Sequence, residues 1–266
     1  MQQPNDVETE LTESSLSVGR PGHYQTSARR RSTRRPQAPA NNNLTHTAPQ
    51  PFVDPIARVK RESIHWKRKV FHVIGIGTVA LTYALTNVGQ WEALAILGAF
   101  ALIFSGLDMA RFYIPALNRK VRQDLGFLMR DYELKGLSGS TWFLFSGVLA
   151  IAAFPKIVVA LGFLYLALGD PLASWVGLRW GKTRLPGGKS LEGSLTFFGV
   201  SALSGVALLA LASGLDLTIG SMALLAGVTA FVAAVAEALP LKGVDDNFIV
   251  PLASSGAGAA LLAIIA

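Results

Sequence analysis

Seven apolar stretches follow one another after residue 70, and the basic residues between them fall almost entirely into alternate gaps. The stretches centre on Val70–Thr86, Trp91–Leu107, Trp142–Phe154, Ile157–Leu178, Leu195–Ala212, Ile219–Leu239 and Phe248–Ala266. A helix needs about 20 apolar residues to cross a bilayer, a length that all but the short third stretch approach. The fourth is interrupted by Gly169-Asp170-Pro171. If every stretch crosses, one side receives the segment before Val70 and the segments Ala110–Gly139, Arg179–Gly193 and Pro240–Asn247. That side then holds 23 of the 24 Lys and Arg residues, and only Lys156 falls opposite. Basic loops stay on the cytoplasmic side, so the pattern predicts a cytoplasmic N-terminus and a non-cytoplasmic C-terminus. The expected fold is all-α: a polytopic integral membrane protein of about seven transmembrane helices. A charged fraction of 15% agrees with it, since soluble domains carry about 25%.

Residues 1–60 differ from the rest. They are rich in Gln, Asn, Thr, Ser, Pro and Arg and hold few large apolar side chains. Such a segment cannot offset its chain entropy by burial, which predicts a disordered basic cytoplasmic tail over 1–60 and a membrane-embedded domain over 61–266. No apolar run follows the arginines as in a secretory signal, and Asp6, Glu8, Glu10 and Glu13 argue against a transit peptide. The chain's net charge is +7, and its basic tail is suited to anionic membrane lipids; the aromatic interleaving of a nucleic-acid binder is missing. The absence of cysteine excludes disulfides, thiolate metal sites and cysteine nucleophiles. Within Ala110–Gly139, Leu117, Val121, Leu125 and Leu128 recur at helical spacing among basic residues, which predicts an amphipathic helix at the membrane interface.

Ionisable groups in or beside apolar spans are costly and therefore mark function. Asp170 lies inside the fourth stretch and Glu237 near the end of the sixth. Asp245, Asp246 and Asn247 directly precede the seventh, and Arg68, Lys69 and His72 enter the first. All of them approach the same expected face. Arg68 and His72, four apart, share one side of a helix. The segment RWGKTRLPGGKSLEG, from Arg179 to Gly193, adds glycines with Lys182, Arg184 and Lys189. Glycines bring backbone amides close to phosphate oxygens and basic side chains neutralise them, although the Walker pattern GxxxxGK[ST] is not matched. Carboxylates that hold Mg²⁺ beside cations that hold phosphates suit a metal–nucleotide at a membrane surface. The same acids also suit plain ion pairs that fasten helices.

Three blocks at these residues resemble the CTP-dependent polyprenol kinase family, which includes dolichol kinases, phytol kinases and CTP-dependent diacylglycerol kinases. They are Arg68-Lys69-Val70-Phe71-His72, similar to the family's RKxxH opening; LALGDPLASWVGLRWGKTRLPGGKSLEGSLTFF, from Leu166 to Phe198; and EALPLKGVDDNFIVPL, from Glu237 to Leu252. The stretch GLSGSTWFLF ending at Phe145 is similar more loosely. The resemblance runs over most of the chain after about residue 65. It implies a membrane transferase that uses CTP with Mg²⁺ on a lipid alcohol: a polyprenol or dolichol, phytol, or diacylglycerol. Its acidic and basic positions carry over onto Asp170, Lys189, Ser190, Glu192, Gly193, Glu237, Asp245, Asp246 and Asn247.

The expected division of labour places phosphates on Lys189 with Lys182, Arg184, Ser190 and Gly193, and has Arg68 and His72 either completing the nucleotide site or anchoring the first helix. Asp170, Asp245, Asp246 and Asn247 are expected at the metal, and one of Asp170, Glu192 and Glu237 at the acceptor's hydroxyl proton. Phosphatidate cytidylyltransferase, a related membrane enzyme, shares the middle block. Its C-terminal HGG and DRxD signatures do not occur here after residue 193, and all four histidines lie at or before His72. A transporter or a non-catalytic scaffold is a third reading, but the charges gather at one face and no inverted repeat is evident.

Overall fold

The computed structural model describes residues 55–130, 132–212, 216–239 and 243–265, with side chains from residue 66 onward. The expected tail over 1–60 lies almost wholly outside these residues. Eight helices follow in order: α1 (Pro55–Leu85), α2 (Gln90–Tyr113), α3 (Pro115–Leu125), α4 (Gly139–Ala153), α5 (Lys156–Trp180), α6 (Leu191–Leu211), α7 (Ile219–Ala238) and α8 (Asp246–Ile265), with a 3₁₀ turn at Gly126–Leu128 after α3. Among the described residues α2, α5, α6, α7 and α8 are long and apolar enough to cross a membrane. The chain is therefore an all-helical polytopic membrane protein. The other two expected stretches fall in the second half of α1 and in α4. At 15 residues, α4 is about 22 Å long, short of the roughly 30 Å of hydrocarbon.

Helix α5 is the axis of the bundle. It is buried on nearly every side, and α1, α6 and α8 pack along it, while α6 and α8 enclose α7 and α4 links α2 to α8. The outer helices bury one face and turn Phe100, Leu102, Leu203, Ile219 and Phe231 outward. In water that surface would be a liability; in lipid it costs nothing, and helix association rests on close packing instead. Gly162 shows how close: a Cβ added there would lie 2.7 Å from Ser254 Oγ and 3.0 Å from the Pro251 carbonyl.

Two boundaries differ from the sequence expectation. The Gly169-Asp170-Pro171 interruption does not interrupt: α5 continues through Pro171. Proline removes one N–H and disturbs one turn; the tight seat of Gly169 on the Phe197 ring, where a Cβ would be 2.8 Å from a ring carbon, holds the helix on course. Helix α2 runs on past Leu107 to Tyr113, because the two charges in that last stretch neutralise each other. Arg111 Nε donates to Asp108 Oδ1 at 2.6 Å, three residues apart on one face. The amphipathic segment expected after Ala110 appears as α3, with Pro115 at its first position, where proline's missing N–H is not needed.

Candidate active site

Three helices converge on one cavity. Asp170 comes from the middle of α5, Glu237 from the last turn of α7 and Asp246 from the first residue of α8. Each offers a carboxylate oxygen within 4.8 Å of the others. Asp246 is at a helix N-terminus, where partial positive charge favours an acid. The connection between α5 and α6 delivers the counter-charge. It folds back on itself: Leu185 N–H donates to the Lys189 carbonyl at 2.8 Å, Leu191 N–H to the Thr183 carbonyl at 2.9 Å, and Arg184 pairs with Ser190 as an antiparallel bridge. The reversal is made by Gly187 and Gly188 at φ 97° and 86°, a region that side-chain-bearing residues avoid. Lys189 is thereby turned inward. Its Nζ donates to the Glu237 carbonyl at 2.5 Å and to Glu237 Oε1 at 2.6 Å, and sits 3.3 Å from Asp246 Oδ2. Burial opposes the lysine's charge, but Asp246 and Glu237 outweigh it and hold the ammonium above its ordinary range.

The cavity has a volume of about 340 Å³. Arg68, Lys69, Arg130, Arg184 and Lys189 line it together with the three carboxylates. Five basic groups against three acids leave it positive by two, the sign that a metal–triphosphate complex requires. An all-oxygen trio suits a hard divalent cation such as Mg²⁺, and the ammonium now lying between Glu237 and Asp246 marks the place where positive charge is stabilised.

The other expected residues fall into two groups. Arg68, His72, Arg184, Ser190 and Gly193 line the cavity. Ser190 is also the N-cap of α6, its Oγ accepting from Gly193 N–H at 3.1 Å. Lys182, Glu192, Asp245 and Asn247 do not line it. Glu192 Oε1 accepts from the backbone N–H of Lys182 and Thr183 at 3.0 and 3.1 Å, so its carboxylate fastens the start of the loop. Asp245 turns to Arg130 and Tyr132, whose hydroxyl is 3.1 Å from Oδ2; burial, then the adjoining Asp246, pushes Asp245 up to about 6. Asn247 is buried against Gly139 with Nδ2 unpartnered.

Arg130, a basic residue of the connection between α2 and α4, also lines the cavity. It reaches both aspartates, 3.5 Å from Asp245 and 3.8 Å from Asp246. Its backbone is held in turn: Glu133, 2% exposed, accepts from Arg130 N–H at 2.7 Å and from Gly139 N–H at 3.0 Å. Beneath it, Arg111 Nη2 donates to the Glu133 and Gly136 carbonyls at 2.7 Å each, while Asp108 Oδ2 accepts from Ser138 N–H and Thr141 Oγ1 at 2.8 and 2.6 Å. A buried acid–base pair thus pins the loop that carries Arg130. The detectable signal was Asp108 and Arg111, oppositely charged and three apart in an apolar helix.

The chain is 32% identical over 168 residues to CTP-dependent diacylglycerol kinase 1 of Schizosaccharomyces pombe, covering 59% of this chain and 74% of that protein. To phytol kinase of Synechocystis sp. it is 34% identical over 191 residues, 71% of this chain and 76% of the relative. CTP-dependent diacylglycerol kinase 1 of Saccharomyces cerevisiae is 28% identical over 208 residues, 71% and 70% of the two chains. No family model matches the chain, and no solved structure does.

Proposed function

Because the chain belongs to the family of CTP-dependent polyprenol and lipid kinases, we propose that it transfers the γ-phosphoryl group of CTP to the hydroxyl of an isoprenoid or glycerolipid alcohol in the membrane. The observation that carries this reading is the meeting of Asp170, Glu237, Asp246 and Lys189 in one cavity rimmed by Arg68, Arg130 and Arg184. Phosphoryl transfer needs little covalent help from a protein; positioning and neutralisation of charge dominate. The arginines and Lys69 draw in the triphosphate. Asp170, Glu237 and Asp246 would hold Mg²⁺, which when bound neutralises phosphate charge and orients the transferred group. Lys189, on its fixed turn, follows the negative charge from the carboxylates to the phosphates. Asp170 and Glu237 are the cavity carboxylates available to take the acceptor's proton, because Glu192 is engaged with loop amides.

The experiment that tests this uses α- and γ-labelled CTP in parallel, with a panel of lipid alcohols and with phosphatidate. Label from the γ position alone should enter lipid, with an alcohol as acceptor and CDP as co-product. Label from the α position in lipid would mean that CMP is transferred to a lipid phosphate, and the cytidylyltransferase reading, which shares the middle block, would replace this one.

The proposed topology has seven crossings, with the cavity and the basic tail of residues 1–60 on the cytoplasmic side and residues 61–266 as the catalytic domain. The support is the charge asymmetry of the connecting segments. A reporter fused after Ala266 should be accessible from outside; a cytoplasmic signal would remove one crossing, and α4, the shortest, is the one to reassign.

A further inference from the structure

The polar cavity adjoins an apolar groove, with His72 in the lining of both. Helix α1 packs on α5 and α2 packs on α4, but α1 and α2 scarcely touch. Between them runs a groove of about 490 Å³, walled by Ile76 and Val79 of α1, Leu97 and Phe100 of α2, and Phe143 of α4. His72 lines both the groove and the polar cavity, and its Nε2 is buried without a hydrogen-bond partner. The groove reaches Tyr83 at its far end. Eleven residues of helix separate His72 from Tyr83, about 17 Å at 1.5 Å per residue. That is close to half of the roughly 30 Å hydrocarbon core, the depth of one leaflet.

We infer that this groove seats one hydrocarbon chain of the acceptor alcohol, with the hydroxyl emerging beside His72 at the carboxylate trio. The inference rests on the lipid-kinase reading above and adds where the acceptor lies. Three observations select this occupant over a protein partner or a second copy of the chain. The groove shares His72 with the site of transfer. It runs beside α1 from His72 to Tyr83, about one leaflet's depth. Its polar end holds a buried ring nitrogen without a partner, a group costly to leave unpaired that a turn of the ring would bring to a hydroxyl. A chain moving from bilayer to groove gains no hydrophobic energy, since lipid is as apolar as the wall. What the groove supplies is position: it holds a diffusing alcohol at fixed depth, so that transfer becomes effectively intramolecular.

Gly75 sets the width. It lines the groove one turn from His72, and a Cβ added there meets nothing within 4 Å. The first atom of a side chain here has free space, and a large side chain narrows the groove. Gly98 on α2 is equally open and does not line the groove, so Gly98→Trp controls for added bulk.

In vesicles, Gly75→Trp should raise KM for a long-chain alcohol by about tenfold or more while leaving KM for CTP within about twofold; Gly98→Trp should change neither. Independently of turnover, a long-chain alcohol bearing a mid-chain diazirine should label wild-type protein within Gly75–Tyr83 and Ile96–Phe100. That labelling should be competed by the unmodified alcohol and lost in Gly75→Trp. Unchanged acceptor KM in an inserted Gly75→Trp, or competed labelling confined to other helices, overturns the groove. Failure of wild type to phosphorylate any alcohol counts instead against the kinase reading, and the cross-linking still decides whether the groove binds one.

Discussion

Asp170→Asn should lower turnover by about 10³-fold, the scale of removing a group that stabilises transition-state charge, while the protein inserts and unfolds at nearly the wild-type temperature. Asparagine has almost the same shape but lacks the charge that a divalent cation needs from its ligands. The ground for expecting unchanged stability is specific: among the described residues Asp170 has no Lys or Arg nitrogen within 4.0 Å, whereas Asp108, Asp245, Asp246 and Glu237 all do. An acid that fastened two helices would have such a partner. Turnover at several Mg²⁺ concentrations, set beside a thermal melt in detergent, checks the expectation. A variant with near-normal turnover, or one that loses activity only because it unfolds, would remove Asp170 from the proposed chemistry.

Asp108→Ala should cost about 3–5 kcal/mol, the range for breaking a buried ion pair by removing one partner. Arg111 is 1% exposed; without Asp108 its charge stays inside the bundle, and Ser138 N–H and Thr141 Oγ1 lose their acceptor. Because the same network holds the loop that ends at Arg130, affinity for CTP should fall along with stability. The double variant Asp108→Leu/Arg111→Met should be more stable than Asp108→Ala, since no lone charge remains, yet should not recover nucleotide affinity, since the Glu133 and Gly136 carbonyls have lost their donor. A double-mutant cycle read by thermal unfolding and by CTP binding separates the two effects. Additive losses would mean that the pair is not coupled.

The acids of the site could be found in the sequence for the reason that they are rare: Asp170 and Glu237 stand in apolar runs where an unpaired carboxylate is penalised. Lys189 was visible in its glycine-rich segment, but nothing in spacing alone says that it points at Glu237. That follows from the reversal at Gly187 and Gly188. Between Asp245 and Asp246 the sequence offers no choice, because neighbours at a helix start differ by about a quarter turn; only the docking of α8 on α7 sends one to the cavity and the other to Tyr132. Glu192 carries a readable signal in its sequence position, two residues after Ser190. An acid two residues after a serine N-cap belongs to a helix start, and its carboxylate is spent there on backbone amides. Arg130 was hidden because its place depends on Glu133 and, beneath it, on Asp108 and Arg111, whose contacts with that segment span 22 to 33 residues of the chain and have no local periodicity.

The reversal between α5 and α6 has a further consequence, for chain length. Along paired extended backbone successive side chains alternate between two faces, so a shift of one residue exchanges inside for outside. The Lys189 side chain reaches the carboxylates because the count from Thr183 to Leu191 lets those two residues pair across the turn. One inserted or deleted residue in that interval preserves every functional group, yet it presents the ammonium to the wrong side. The α5–α6 connection is therefore constrained by its length as strictly as by its lysine.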